Sequence, residues 1–268
     1  MTDNDDVLGT QDEEIDRLGL QHRVWRARML DGWTRAGIRP GQRVLDVGAG
    51  PGFATVDLAE IVGPTGRVIA FERSSRFLGA LEARAAQLGL NNIEAREHDV
   101  AQAPLGTSVA DAAWCRWVLS FVADPAATVR HIAQALAPGG VAIFHEYADY
   151  GAWQMMPPNP DVDRFRELVI QSWRDSGGEP DIALQLPSLL AAAGMEVIEA
   201  RPLTQIVRRS DFAWAWPAAF MAVNAARLHE LGYATAGEAA RFASALDHCP
   251  EDALMVTPLV AEIIARRA

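Results

Sequence analysis

Three glycines follow a short apolar run at residues 44–52, which read VLDVGAGPG. Glycines at positions 48, 50 and 52 let the main chain approach a ligand closely and leave backbone N–H groups pointing outward. The sequence therefore predicts a ligand-binding turn between a strand and a helix. By residue type alone, the ligand could be a dinucleotide, a triphosphate or a molecule without phosphates.

The spacing of this turn discriminates among the three kinds of ligand. A dinucleotide-binding turn has the pattern G-x-G-x-x-G, but Phe53 stands where its third glycine is required. A triphosphate loop needs a lysine, and the chain contains none. Asp46, two residues before Gly48, would repel a pyrophosphate and would favour a ligand that carries a cationic or amine group. The residues therefore favour a ligand that is not rich in phosphate.

The same stretch resembles the first motif of the class I S-adenosylmethionine-dependent methyltransferases. Further landmarks follow in the family's order: Glu72 ends VIAFE, Asp99 lies in EHDV, Asp111 opens DAAWCRWVL, and LAPGG precedes the fifth predicted strand. The resemblance covers about residues 40–147, with less support at 187–202. The architecture resembles the ubiquinone/menaquinone and natural-product methyltransferases, which implies a small-molecule acceptor.

The resemblance implies which residues hold the donor, S-adenosylmethionine, and its product, S-adenosylhomocysteine. Glu72 would hold both ribose hydroxyls and Asp99 would accept a hydrogen bond from the adenine amino group. Arg116 and Trp117 would face the methionine end of the donor and the acceptor, and Gln21 lies on a helix that would fold over the donor as a lid. The full expected set is Asp46, Gly48, Ala49, Gly50, Gly52, Glu72, Arg73, Asp99, Val100, Arg116, Trp117 and Gln21, with no metal.

Two residues of the fifth predicted strand are candidate catalytic groups. His145 and Tyr147 share one face by period-two alternation, and Glu146 takes the other face. A histidine titrates near neutral pH and could deprotonate a hydroxyl or enol acceptor. A packed histidine beside a sheet would show the same pattern, so the identity of a base stays open.

The elements that must position these residues alternate along the chain. Short β-type runs alternate with helical segments up to about residue 147, which indicates right-handed βαβ crossovers and a parallel sheet with helices on both faces. The sequence after residue 147 is rich in Pro, Trp and Met and breaks this rhythm. We therefore predict an α/β fold: a doubly wound, mostly parallel, seven-stranded Rossmann-like sheet with helical cap insertions.

The predicted organisation has six segments, with the last strand near residues 254–258. They are 1–36, an N-terminal tail and lid helix; 37–147, the donor-binding core; 148–186, a first cap insertion; 187–210, a return to the core sheet; 211–252, a second helical cap insertion; and 253–268, the final strand and C-terminus.

Composition limits the partners of this chain. Its 268 residues carry a formal net charge of −11 and an acidic N-terminal segment, which argues against a nucleic acid partner. No apolar run approaches the roughly 20 residues of a membrane span, and the N-terminus does not resemble a secretion signal, so a cytoplasmic location is expected. The two cysteines, Cys115 and Cys249, have no metal-ligand spacing. A homodimer is left open.

We therefore expect methyl transfer from S-adenosylmethionine to a small apolar or aromatic acceptor. One alternative is a protein that binds the donor without transferring the methyl group, either as a regulatory module or in another cofactor-assisted reaction. A second is an NAD(P)-dependent oxidoreductase, against which Phe53 and the missing Tyr-x-x-x-Lys pair argue.

Overall fold

The computed structural model describes residues 10–268, so most of the predicted acidic tail lies outside the described residues. Its strands and helices alternate in the first half of the chain, as the sequence pattern indicates. The strands are β1 (Arg43–Val47), β2 (Arg67–Glu72), β3 (Ile93–Glu97), β4 (Ala110–Arg116), β5 (Leu136–Asp149), β6 (Gln154–Met156), β7 (Met195–Leu203), β8 (Ile206–Arg208), β9 (Leu254–Val256) and β10 (Leu259–Arg267). The α-helices are α1 (Asp12–Ala36), α2 (Phe53–Val62), α3 (Ser75–Leu88), α4 (Pro125–Ala135), α5 (Pro160–Asp175), α6 (Leu186–Ala192), α7 (Ala215–Glu230) and α8 (Ala236–Ser244).

Seven strands form the central sheet in the order β3-β2-β1-β4-β5-β10-β7. The pairs β1–β2, β2–β3, β1–β4 and β4–β5 are parallel, whereas β10 runs antiparallel to both β5 and β7. The chain order reverses direction at β1 and β4, and a crevice opens beyond the carboxyl ends of the strands at such a point. The predicted doubly wound, mostly parallel, seven-stranded sheet is confirmed.

Local sequence signals explain where the helices start and stop. The hydroxyl of Ser74 accepts the N–H of Phe77 at the start of α3, and Asp124 caps α4 in the same way, with Pro125 at its first position. Helix α1 ends at Gly37, which adopts the left-handed conformation at φ 82°. These caps fix the lengths of the loops that carry the site.

Apolar strands fill the space between the two helical layers. One buried cluster packs β1, β4 and β5 against α4 and α6, and a second packs the other face of the sheet against α1 and α2. A third cluster joins α5, α7 and α8 to the end of β5 and forms the cap. The strands of the sheet are thus held rigidly on both faces, and only their carboxyl ends face the cap.

Two short strands in the second half of the chain belong to a sheet that the sequence pattern does not predict. The last strand of the core sheet is β10, whereas Leu254–Val256 pairs with β6 and β8 in a separate three-stranded sheet, order β6-β9-β8, within the cap. Ile206–Arg208 belongs to this cap sheet as well and not to the core. The cap is therefore part helix and part sheet. The division of the chain into six segments stays a prediction.

The described helices include none that is both long and apolar enough to cross a bilayer. Over the same residues, 10–268, no group of His, Cys, Asp or Glu side chains is arranged to hold a metal ion.

Candidate active site

A large cavity opens at the carboxyl ends of β1, β2, β4 and β5, beneath the cap and the first turns of α1. It encloses about 1300 Å³ of space, its open mouth included. Its walls come from the sheet, from α1 and from the cap helices α5 and α7. They are lined by Glu14, Arg17, Leu18, Gln21, Asp46, Gly48, Ala49, Gly50, Pro51, Phe53, Ala54, Phe71, Glu72, Arg73, Phe77, His98, Asp99, Val100, Trp114, Arg116, Trp117, Val118, Phe121, Val122, Tyr147, Trp173 and Phe220.

The glycine turn is fixed by hydrogen bonds to β2. The N–H groups of Gly48 and Ala49 both donate to the carbonyl of Phe71, at 2.9 and 3.0 Å, and the N–H of Gly50 donates to Oε2 of Glu72 at 2.9 Å. Gly50 has φ 55°, and a Cβ at this position would meet no atom within 4 Å. The turn therefore offers an open cradle where a side chain would fill ligand space.

Gly52 has a structural role at the start of α2. It does not line the cavity, and it occupies the N-cap position of α2 at φ 82°. A Cβ at Gly52 would collide with Leu81 of α3. The glycine lets α2 and α3 approach closely at the start of α2, and a contact between Gly52 and the donor stays a prediction.

Two carboxylates lie on either side of this cradle. Asp46 is 2 % exposed and accepts a hydrogen bond from the hydroxyl of Thr55 at 2.6 Å. Burial raises the pKa of Asp46 to about 6, although the Thr55 hydrogen bond and the nearby Arg116 oppose that increase. Glu72 is held by backbone N–H groups on both oxygens, since Ser74 donates to Oε1 at 2.8 Å. Both carboxylates are therefore fixed in orientation before any ligand binds.

A third acid lies further along the same wall. Asp99 accepts the N–H of Ala101 at 3.0 Å and the side-chain amide of Gln102 at 2.9 Å, and it lines the cavity with Val100. Arg73 also lines this part of the cavity. These residues follow β2 and β3 along the chain, and the parallel order of the strands brings them to the same edge of the sheet as the glycine turn.

Arg116, a partly buried cation, lies between the polar and the aromatic parts of the cavity wall. The guanidinium of Arg116 lies 5.1 Å from the ring centroid of Trp117 and 5.7 Å from that of Trp114, and its Nη1 contacts the sulfur of Met29 at 3.8 Å. Burial lowers the pKa of Arg116 to about 10, partly offset by attraction to Asp46. Arg116 is therefore a cation at neutral pH, and it lies within the field of the Asp46 carboxylate.

The first turns of α1 close one side of the cavity through a row of polar side chains. Arg17 donates to both oxygens of Glu14, at 2.7 and 2.6 Å, and to the side-chain oxygen Oε1 of Gln21 at 2.9 Å. The same oxygen of Gln21 accepts the indole N–H of Trp216 in α7 at 2.9 Å. Gln21 thereby joins α1 to the cap. Glu14 was not predicted to lie at the site. Arg17 comes three residues after Glu14 and four before Gln21, and this spacing places the three side chains on one helical face.

The half of the cavity beneath the cap is aromatic. Trp117 stacks on Tyr147 at 5.5 Å between ring centroids and on Trp216 at 5.7 Å, with interplanar angles of 19° and 17°. Phe121 and Trp173 meet edge to face at 4.7 Å. Burial raises the pKa of Tyr147 far above its ordinary value. Tyr147 therefore keeps its proton and suits the role of a hydrogen-bond donor, not that of the base considered from the sequence.

His145 does not reach this cavity. Its ring is fully buried, its Nε2 lies 2.9 Å from Oε2 of Glu262, and it packs against Trp114 at 4.7 Å between ring centroids. Burial lowers the pKa of His145 despite the Glu262 carboxylate. Trp114 itself lines the cavity, so the histidine is screened from it. The expectation of a catalytic base at His145 is corrected: it belongs to a buried polar group that also includes Arg35 of α1.

Apart from Gly52 and His145, every residue expected at the site lies on the wall of one cavity. Their individual roles toward a ligand stay predictions. Phe53, Phe77 and His98 also line the cavity and were missed, because nothing in residue type or spacing separates an apolar or histidine wall residue from a core residue. The sheet order and a glycine turn that faces fixed acids across an open cradle define an α/β methyltransferase fold.

Comparison with known proteins identifies the family. Residues 38–170 match the model of a protein family that is described as a methyltransferase domain. The chain is 30% identical over 171 residues to the 2-phytyl-1,4-naphtoquinone methyltransferase of Synechococcus elongatus, an alignment that covers 63% of this chain and 69% of the relative. It is 31% identical over 191 residues to an uncharacterized 37.1 kDa protein in a transposon of Streptomyces fradiae, which covers 71% of this chain and 53% of that protein. The chain thus spans between about half and two thirds of the length of these relatives.

Solved structures agree on the fold. A coclaurine N-methyltransferase bound to N-methylheliamine and S-adenosylhomocysteine superposes with a TM-score of 0.60 at 17% sequence identity, covering 90% of this chain and 72% of that one. The chain belongs to the S-adenosylmethionine-dependent methyltransferases. This confirms the family, the fold class and the enzyme class that the sequence predicts.

Proposed function

We propose that this chain transfers the methyl group of S-adenosylmethionine to a planar, apolar, aromatic acceptor of neutral or negative charge. The observation that carries the proposal is one continuous cavity with a polar half at the glycine turn and an aromatic half under the cap. Residues 116–118 lie where the two halves meet. A donor in the first half and an acceptor in the second would be held close together, and proximity and alignment supply much of the rate in such reactions.

The polar half fits the donor group by group. The space left by the missing Cβ of Gly50 admits the ribose and methionine parts, and Glu72 has lone pairs for the two ribose hydroxyls beyond its backbone hydrogen bonds. Asp46 would complement the donor's ammonium group, and Arg116 would complement its carboxylate. Asp99 would accept from the adenine amino group. These residues would thus offer an opposite charge or a hydrogen-bond partner to each of these polar groups of the donor.

The aromatic half sets the charge of the acceptor. Arg17 already lies 5.4 Å from the ring centroid of Phe220, and Arg116 lies over Trp117, so two protein cations occupy the ring faces that an ammonium acceptor would need. Both oxygens of Glu14 already accept hydrogen bonds from Arg17. A cationic acceptor is therefore disfavoured, and an acceptor that needs no strong base is favoured.

The chain's own residues contribute orientation and dryness. When bound, the donor supplies an electrophilic methyl group on its sulfonium, and S-adenosylhomocysteine is the product. Trp117, Tyr147, Trp173 and Phe220 bury the acceptor and exclude water, while the hydroxyl of Tyr147 can donate to an acceptor oxygen and spread its negative charge. Family membership removes the NAD(P)-dependent alternative. The cytoplasmic location, the absence of a nucleic acid partner and the homodimer stay predictions.

A panel of acceptors with methyl-labelled S-adenosylmethionine tests the proposal. The panel pairs phenols and naphthohydroquinones with matched arylalkyl amines that are cationic at neutral pH, and the readout is label in the extracted product. We expect label in the neutral or anionic aromatics only. Label in the cationic amines alone would contradict the acceptor class. Tight binding of S-adenosylhomocysteine without label in any member of a broad panel would favour a protein that binds the donor without methyl transfer.

A further inference from the structure

The backbone turn that joins the two halves of the cavity is strained. Trp117 has φ 53°, and it shares a positive φ with only one other non-glycine residue, Ser108, in residues 10–268. A bulky side chain in this conformation costs free energy and persists only where its surroundings hold it. The N–H of Trp117 donates to the carbonyl of His145 at 2.9 Å, but the indole N–H has no hydrogen-bond partner among the described residues. The backbone turn and ring stacking therefore place the indole.

A fully buried carboxylate holds this turn from behind. Oε1 of Glu146 accepts the N–H groups of Val118 and Leu119, both at 2.9 Å, and Oε2 accepts the hydroxyl of Ser120 at 3.0 Å. Three successive residues after Trp117 are thus tied to one side chain of the neighbouring strand. Burial raises the pKa of Glu146 to about 7, and the hydrogen bonds oppose that increase. Burying an acid in apolar surroundings costs free energy, which its hydrogen bonds to this turn partly offset.

The turn touches both halves of the cavity. Trp117 forms part of the aromatic wall through its stacking on Tyr147 and Trp216. The side chain of Val118 fills the space that a Cβ at Gly48 would require, so it rests directly on the glycine turn. A shift of this turn would therefore change the acceptor wall and the donor cradle together.

We propose that Glu146 is a positioning residue, whose hydrogen bonds to residues 118–120 hold Trp117 and Val118 in the conformation that shapes the donor cradle and the acceptor wall. Glu146 does not line the cavity and faces away from it, on the opposite side of β5 from Tyr147. Its effect is transmitted through the turn. The proposal rests on the proposed function only for its ligand readout, because the conformation of the turn can be measured in the free protein.

Glu146→Gln tests this role, because glutamine keeps the size of the side chain and replaces one acceptor oxygen by an amide nitrogen that cannot accept. Glu262→Gln is the matched control, since Glu262 is also a buried carboxylate on a strand of the same sheet but bonds His145 and Arg35. The melting temperatures report general destabilisation in both variants. Hydrogen exchange of the segment 117–121 and calorimetric titration with S-adenosylhomocysteine report positioning.

We expect exchange in 117–121 to accelerate about tenfold in Glu146→Gln, as the loss of about one net hydrogen bond implies, with exchange in β2 unchanged. Affinity for S-adenosylhomocysteine should fall about fivefold or more, whereas Glu262→Gln should lower the melting temperature without either effect. In a Trp117→Gly background, where the turn is unstrained, Glu146→Gln should accelerate exchange much less. Equal acceleration in both backgrounds, or an unchanged segment 117–121, would overturn the proposal. If the unmodified chain fails to bind S-adenosylhomocysteine, the proposed function fails, while the exchange comparison still decides the role of Glu146.

Discussion

Replacement of Glu72 should weaken donor binding for two separate reasons: the ribose contacts are lost, and the N–H group of Gly50 loses its acceptor. The carboxylate would accept two charge-assisted hydrogen bonds from the ribose, and it already accepts the N–H groups of Gly50 and Ser74. Loss of the ribose contacts in Glu72→Ala should cost about 1.5–3 kcal/mol, or about 10- to 150-fold in affinity for S-adenosylhomocysteine. Release of the Gly50 N–H loosens the cradle as well, so the measured loss should lie toward the upper end of this range.

Two comparisons separate these parts by calorimetry. Glu72→Gln keeps one acceptor oxygen and the shape of the side chain, so we expect a smaller loss of about tenfold. Glu97→Gln is the matched control: Glu97 pairs in register with Glu72 at the end of the neighbouring strand but is exposed and lies off the cavity wall, so affinity should change less than about twofold.

A third comparison changes the ligand and uses an analogue without the ribose hydroxyls. The unmodified chain should bind such an analogue of S-adenosylhomocysteine more weakly than the parent compound, whereas Glu72→Ala should bind the two with similar affinity. An equal preference for the parent compound in both proteins would refute the assignment of the ribose to Glu72.

Three further predictions concern the rest of the cavity. Gly50→Ala places a methyl group in the open cradle and should weaken S-adenosylhomocysteine binding at least about tenfold, while Gly89→Ala, at a similar positive φ with equal space outside the cavity, should cost only the backbone strain of about 1 kcal/mol in stability. Because burial raises the pKa of Asp46 to about 6, the carboxylate loses its charge below that pH; donor affinity should therefore fall as the pH drops through about 6, and Asp46→Asn should flatten this dependence in a calorimetric pH series. A slope that survives in Asp46→Asn would assign the titration to another group. Tyr147→Phe removes one hydroxyl, so in steady-state assays the KM of an oxygen-bearing acceptor should rise several-fold while S-adenosylhomocysteine affinity stays within about twofold; an equal loss of donor affinity would place Tyr147 in the donor half.

The position of the residues in the polar half of the cavity was predictable because its signals are local. Asp46, Gly50 and Glu72 lie at the ends of parallel strands, and the alternation of strands and helices alone brings those ends together at one edge of the sheet. The acceptor half depends on tertiary packing. Period-two alternation predicts that His145 and Tyr147 share one face of β5. The structure shows in addition that His145 packs against Trp114, which lines the cavity while His145 does not.

Tertiary packing also explains why β10 and the three strands of the cap sheet were not predicted from the sequence. Strand β10 reads LVAEIIARR, in which Glu262 interrupts the apolar pattern expected of a buried strand. Its charge is buried only because Arg35, on a helix more than 200 residues earlier, and His145 both pair with it. The strands of the cap sheet are three residues long each, which is too short for alternation to be recognised.

Calorimetric titration of the purified chain with S-adenosylmethionine and S-adenosylhomocysteine, with NAD⁺ as the control ligand, tests the central claim most directly. The geometry of the cavity predicts saturable binding of one molecule of each adenosyl compound per chain in the micromolar range, and no binding of NAD⁺. Binding of NAD⁺ in their place, or of none of the three, would contradict the assignment of residues 46–52 and Glu72 to a methyl-donor site.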